Sequence, residues 1–210
     1  MVFVLGVSGV ILMIRTRDTF AQALGALRHS ACTGRFAPGR PVVIQDEARR
    51  LRLSTTPVRE ALSWLCGEGL LERAPLGGFV APRLDAAILA NLYRFRLLCL
   101  QDALARGGEW IVEGPNAGRL EVVDIFRHLT ASVGDSVLGA AFEGVQARLD
   151  PLAPVEVEIL SDLEGEVEAL LAVPDAGPRP GALEAYHHRR IQGAPRLALA
   201  LAQGARRAGQ

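Results

Sequence analysis

Residues 54–71, reading Ser-Thr-Thr-Pro-Val-Arg-Glu-Ala-Leu-Ser-Trp-Leu-Cys-Gly-Glu-Gly-Leu-Leu, restrict the fold of this 210-residue chain more than any other stretch. The hydroxyls of Ser54 and Thr56 can accept from the free N–H groups of a helix start, and Pro57 suits a first turn, where its missing donor costs nothing. Beyond it Val58, Ala61, Leu62 and Leu65 recur at spacings of three and four, the mark of one buried helical stripe. Thr55, Arg59 and Ser63 fall on the opposite face. Short hydroxyls and one long bidentate donor, on the N-terminal turns of a helix backed by core, suit entry into a DNA major groove.

The flanking residues extend this into a helix-turn-helix. A first helix is expected over about residues 18–33, with Phe20, Leu24, Leu27 and Ala31 on one face and Asp18 near its positive end. Gly34 and then Ala37-Pro38-Gly39 end it. A short second helix, about residues 45–52, turns Ile44, Ala48 and Leu51 inward and leaves Arg49 and Arg50 outside. After the third helix, Leu70-Leu71-Glu72-Arg73 and Gly78-Phe79-Val80-Ala81 flank Ala74-Pro75-Leu76-Gly77, the pattern of a β-hairpin wing. Gly77 and Gly78 admit two readings there: a bare tip able to approach a sugar-phosphate backbone or minor groove, or plain turn geometry.

Charge divides the chain in two. The formal net charge of zero would argue against a nucleic-acid partner if it were spread evenly, but residues 1–83 carry eleven Arg against six Asp or Glu, a balance of +5. Residues 84–210 carry twelve against seventeen, a balance of −5. Such asymmetry suggests a basic nucleic-acid module joined to an acidic module of other purpose. The basic residues are all Arg, which reads as coding bias. Cys32, Cys66 and Cys99 are widely spaced with no Cys-x-x-Cys pair, so a disulfide framework or thiolate zinc site is not expected. A reducing cytoplasm fits, with all three packing as small apolar residues.

Met1–Leu12 are almost wholly apolar, yet no basic segment precedes them, two Arg follow, and the run falls short of the ~20 residues of a membrane span. Met13 is the expected natural start and the preceding residues an upstream extension, disordered or loosely packed; a membrane-associated N-terminus is the alternative. Beyond Pro82 helices are expected over about 85–106, 117–132, 135–149, 153–173, 182–192 and 195–208, separated by Gly- and Pro-rich breaks. A helical bundle of about six members is the economical architecture. The expected fold is therefore mainly α, with an apolar extension over 1–14, a winged helix-turn-helix over 15–83 and an all-α bundle over 84–210. Glu156, Glu158, Asp162, Glu164, Glu166 and Glu168 interleave with apolar residues at helical spacing and read as a solvated face. Phosphate-binding glycine loop, nucleophile elbow and His-x-x-x-His pair are all absent from the sequence, and no enzyme is expected.

Gly34-Arg35-Phe36-Ala37-Pro38-Gly39, Asp46, Ala48, Ser54-Thr55-Thr56-Pro57-Val58-Arg59-Glu60-Ala61-Leu62, Glu68-Gly69-Leu70 and Gly78-Phe79-Val80 form an ordered series. In that series residues 18–82 resemble the winged-helix domain of the GntR family of bacterial transcription regulators. The resemblance implies a homodimer reading a near-palindromic double-stranded operator, with Gln45, Arg50, Thr55, Thr56 and Arg59 facing it and Arg59 on a guanine edge; Ser54 at the helix start and Gly77 at the wing tip complete the expected DNA contacts. Two residues depart from the family pattern: Glu47 stands where a buried Leu is usual, and Thr55 replaces a common Arg. The helical remainder resembles in outline the effector domain of the FadR-type branch, where an Asp and three His commonly hold a divalent metal. His188 matches one ligand, but Val122 and Phe126 occupy the positions of an Asp and a His. The metal site is expected to be degenerate, with no cofactor, leaving Asp124 and His128, an i, i+4 pair, and His188 as candidates. A small-molecule effector remains an expected partner, and a membrane is not. The rival readings are a protein-interaction module whose winged helix no longer binds DNA and a metal-dependent or hydrolytic enzyme in the helical domain.

Overall fold

The computed structural model describes residues 7–111, 121–171 and 181–207, with side chains described from Thr19 and as far as Gly204. Contacts divide the chain into two compact units, Met1–Arg83 and Leu84–Gln210. In the first unit α1 spans Val7–Cys32, β1 Pro41–Val42, α2 Ile44–Leu51, α3 Thr55–Gly67, β2 Glu72–Arg73 and β3 Phe79–Val80. Helix α1 starts well before the expected residue 18. No Pro interrupts residues 7–18, and adding turns to an existing helix costs far less than nucleating one. The part of the apolar extension from Val7 onward is thus helical, while residues 1–6 lie outside the described residues.

Ala23 and Leu27 of α1, Ala48 of α2 and Val58, Ala61, Leu62 and Leu65 of α3 are buried together with Leu70, Leu71 and Phe79. The stripe read from the sequence is therefore the core-facing side of α3. Between α2 and α3, Arg52 takes a left-handed conformation, φ 55°, and its N–H and that of Leu53 close onto carbonyls of the last turn of α2. A non-glycine residue in this region is uncommon, and here it gives α2 the sharp stop usually supplied by Gly. The small sheet has order β1-β3-β2, all antiparallel, with Pro41 opposite Val80 and Arg73 opposite Phe79. Strand β1 was not expected from the sequence. It is two residues long and opens with a Pro, which an edge strand tolerates because no ladder N–H is required on its outer side.

In the second unit α4 spans Ala86–Ala105, α5 Val122–Ser132, α6 Ser136–Leu149, α7 Ala153–Ile159 after a 3-10 turn, α8 Leu163–Leu171 and α9 Ala182–Arg207. Asp85 caps α4 by accepting from the Ile88 N–H at 2.8 Å. Asp85→Ala is expected to cost about 1 kcal/mol of stability in this unit, the usual worth of such a cap, measured as a shift in its chemical-denaturation midpoint. One core cluster gathers Leu97, Leu100, Trp110, Phe126, Phe142, Leu170, Leu183 and Tyr186; another gathers Leu89, Tyr93, Val145, Leu149, Leu152 and Leu197.

Two boundaries differ from expectation. The helix expected over 153–173 is two helices, because Leu160 turns into the core with extended backbone and Asp162, at φ 51°, accepts from the Gly165 N–H to start α8. Conversely the helices expected over 182–192 and 195–208 are one, with Pro195 inside it. An interior Pro costs roughly 3 kcal/mol of helix propensity. Ala194 and Leu197 are nonetheless fully packed, and the absent side chain of Gly193 leaves room for Leu160 of the α7–α8 turn. Tertiary burial carries the helix across the break that local propensity favours.

Candidate nucleic-acid interface and the interior of the helical unit

Helix α3 presents Thr55, Thr56 and Arg59 to solvent, with Ser63 half-buried beside them. Ser54 has the extended backbone of an N-cap, but its side chain makes no capping hydrogen bond, contrary to the expected role, and Thr56 lies inside the helix. Pro57 and Val58 are buried, so the first turn is anchored from below while its N–H groups remain open above. Arg59 has no ion pair or side-chain hydrogen bond among the described residues. It borders an open groove of ≈ 580 Å³ with Phe20, Glu60, Ser63 and Trp64. Phe20 and Trp64 meet edge to face at 6.0 Å, and Arg28 of α1 is ion-paired with Glu68 at the end of α3. Both contacts tie the C-terminal turns of α3 to α1.

Gln45 is exposed at the start of α2. Arg50 is placed differently from a free DNA-facing side chain: its Nη2 lies 2.6 Å from Glu47 and 3.2 Å from the Ser30 hydroxyl of α1. Glu47 is buried, and Arg35 approaches it at 3.6 Å. The buried Glu47 carboxylate is thus accommodated by drawing two Arg onto it, and Arg50 is the one engaged most closely.

In the wing the turn runs from Ala74 to Gly77, whose N–H reaches the Ala74 carbonyl at 2.9 Å. Gly77 and Gly78 both have positive φ, 92° and 84°, which requires glycine sterically. The tip itself is not bare, for Leu76 is fully exposed there. Arg73 on β2 was overlooked in the sequence. It lies over Phe79 and donates to Ser63 of α3 at 3.3 Å, linking wing and third helix on one surface.

The helical unit keeps Asp124, His128 and His188 apart. Asp124 pairs with Arg127 at 3.2 Å, His128 with Glu109 at 3.3 Å, and His188 is exposed. The interior position expected of His188 is held by His187, which is fully buried. No group of three or more His, Cys, Asp or Glu able to hold a metal occurs among the described residues. Phe126, at the position of an expected ligand, stacks on His187 with ring centroids 5.8 Å apart.

Two Arg are buried in this interior. Arg190 donates to Glu156 at 2.8 Å, to Glu166 at 2.9 Å and to the Tyr186 carbonyl at 2.9 Å. Burial alone would favour loss of its proton, but Tyr186 and the two carboxylates outweigh it and raise its pKa. Glu156 and Glu166 therefore do not belong to the solvated face expected for them. Arg96 of α4 donates to His187 Nε2 at 3.2 Å and Gln146 Oε1 at 3.0 Å. Arg190 shares the buried α9 stripe with Leu183, Tyr186, His187, Ala194 and Leu197, and Arg96 shares that of α4 with Leu89, Leu92, Tyr93 and Leu100.

Comparison with known proteins follows the same division. An uncharacterised HTH-type transcriptional regulator from the TAR-I ttuE-ttuC′ intergenic region of Agrobacterium vitis is 26% identical over 161 residues, 77% of this chain and 70% of that one. The Nta operon transcriptional regulator of Aminobacter aminovorans is 39% identical over 69 residues, 33% of each chain. These similarities relate the chain to HTH-type transcriptional regulators. Within that group McbR of Escherichia coli is 33% identical over 75 residues, 36% of this chain and 34% of McbR. The solved E. coli McbR/YncC structure covers 89% of this chain and 94% of its own, with 21% identity and a TM-score of 0.52, so the fold is shared along both units. No family model matches the chain. The names these relatives carry are those of regulators, not enzymes. No helix among the described residues is long and apolar enough to cross a membrane.

Proposed function

We propose that this regulator binds a near-palindromic double-stranded operator in the cytoplasm as a homodimer, through Thr55, Thr56 and Arg59 of α3, with Gln45, Ser54 and Gly77 at its margins. The observation that carries the reading is Arg59, an exposed guanidinium unpaired among the described residues on a helix anchored by buried Pro57 and Val58. Arg suits a guanine edge because its forked donors match the two acceptors O6 and N7. The open N–H groups of the first α3 turn and the hydroxyls of Thr55 and Thr56 suit phosphate. The helical unit would supply the dimer interface and respond to an effector, acting through the spacing of the two reading heads. Electrophoretic shift with the chain's own upstream DNA tests this. A complex whose affinity falls steeply with salt supports it, and no shift at low salt, where phosphate contacts are strongest, rejects it. Sedimentation of the complex reads the stoichiometry.

Arg50 enters this proposal conditionally, since it is engaged by Glu47. Glu47→Leu removes the buried carboxylate and frees Arg50 and Arg35. Glu47 is the buried member while Arg50 and Arg35 are 31% and 54% exposed, so both guanidiniums can turn to water once it is gone, and folding stability is expected to change by no more than about 1 kcal/mol. DNA affinity should rise, and the slope of log affinity against log salt should steepen by roughly one phosphate contact. An unchanged slope would show that Arg50 stays away from DNA even when released.

A further inference from the structure

We propose that the wing inserts Leu76 as an apolar wedge between two base pairs of the operator, entering from the minor groove and bending the duplex. Leu76 is fully exposed, at 102%, more than any other large apolar side chain among the described residues. Single exposed leucines are common on protein surfaces, but this one stands on a tip that offers nothing else. Residues 74–82, Ala-Pro-Leu-Gly-Gly-Phe-Val-Ala-Pro, contain no charged side chain and no side-chain hydrogen-bonding group. A wing of that composition cannot hold phosphate or read a base edge with its side chains. The tip is also stiff. Pro75 fixes its own φ, the Gly77 N–H closes the turn on the Ala74 carbonyl at 2.9 Å, and the Ala74 N–H reaches the Gly78 carbonyl at 3.1 Å. Leu76 is thus projected from a preset loop, and little freedom is lost when it is inserted.

The charge lies at the base of the wing. Arg73 stands opposite Phe79 in the sheet, lies 5.6 Å from the centre of that ring and donates to the Ser63 hydroxyl of α3 at 3.3 Å. It ties the wing to the third helix and leaves a cation beside the tip to meet the sugar-phosphate rim. Ser63 follows Arg59 by four residues, about one turn of α3, so the base reader and the wedge belong to the same surface. Groove chemistry then selects the mode of contact. The minor groove is about 6 Å wide, and its floor carries acceptors that a leucine cannot satisfy. A leucine gains there only when base faces cover it, which requires a step to open. Pyrimidine–purine steps open at least cost, so the wedge selects TA or CA/TG at a position that no side chain hydrogen-bonds. This inference rests on the operator-binding reading above and adds to it a residue that sets the shape of the DNA.

The test uses the full chain and its own upstream DNA, carried at different positions in circularly permuted fragments of equal length. The mobility of the wild-type complex is expected to vary with the position of the site, corresponding to a bend of about 20° or more. Leu76→Ala should lower the bend and weaken operator binding roughly tenfold, the worth of about two buried CH2 groups, with the melting temperature unchanged. Leu76→Phe, another apolar wedge, should keep both properties, and Leu76→Ser should lose both. Pyrimidine–purine steps of the protected sequence are then replaced one at a time by purine–purine steps. Wild type should weaken at one such step in each half-site, and Leu76→Ala should be indifferent there. A wild-type complex without a bend, or a bend as large in Leu76→Ala as in wild type, overturns the wedge and leaves operator binding standing; the second is the result expected if Leu76 serves a protein partner instead. No shift by wild type at low salt rejects the operator reading and the wedge with it.

Discussion

Arg190→Met is expected to destabilise the helical unit by about 3–5 kcal/mol, the cost of leaving buried charges without their partner. The side chain of Arg190 is 3% exposed and those of Glu156 and Glu166 only 14% and 9%, so water cannot replace the lost cation. The three groups also pin α9 to α7 and α8, and Tyr93 of α4 donates to Glu156 at 2.5 Å, so the loss spreads through four helices. A few kcal/mol in a domain of this size corresponds to a fall in melting temperature of roughly 10 °C or more. Calorimetry of the full chain measures it. Combining Arg190→Met with Glu156→Gln and Glu166→Leu should recover much of the loss, since an apolar replacement of a whole buried cluster is often neutral. A loss below about 1 kcal/mol in the single variant would mean that the cluster is hydrated and behaves as a surface pair.

Arg59→Ala is expected to weaken operator binding by a factor of about 5 to 150, equivalent to the roughly 1–3 kcal/mol of a bidentate base contact. The loss should be greatest for operators that keep the guanine it reads and small for sequences altered at that base. Binding to unrelated DNA should change little, because phosphate contacts carry it. Competition shifts with wild-type and single-base variant operators distinguish the two terms. A uniform loss on all sequences would place Arg59 on phosphate, and no loss would remove it from the interface. Folding should be unaffected, since Arg59 is exposed and makes no ion pair among the described residues.

The helix-turn-helix was legible because its information is local. Periodic apolar residues, Pro57 in the first turn and the glycines of the wing act over a few residues, where helix and turn geometry dictate them. Thr55 and Arg59 are accessible on α3 as their phase predicted, with Ser63 half-buried, whereas Arg50 is not free, because buried Glu47 and Ser30 of α1 hold its guanidinium, and no local pattern reveals the contact with α1. The wing glycines were readable, but Leu76 at its tip and strand β1 were not.

The helical unit shows the opposite balance. Its composition and breaks made it a bundle, yet the choice of His187 over His188 for the interior is one residue, or 100° of rotation, and depends on what α9 packs against. The same applies to Glu156 and Glu166, which resemble their solvated neighbours until Arg190 is brought to them from α9. Sequence alone determined that a basic winged helix precedes an acidic helical bundle, since periodicity, turn chemistry and charge are additive along the chain. Tertiary structure alone decided which charges are buried and which are paired, because that depends on side chains dozens of residues apart, from Arg96 and Gln146 to His187.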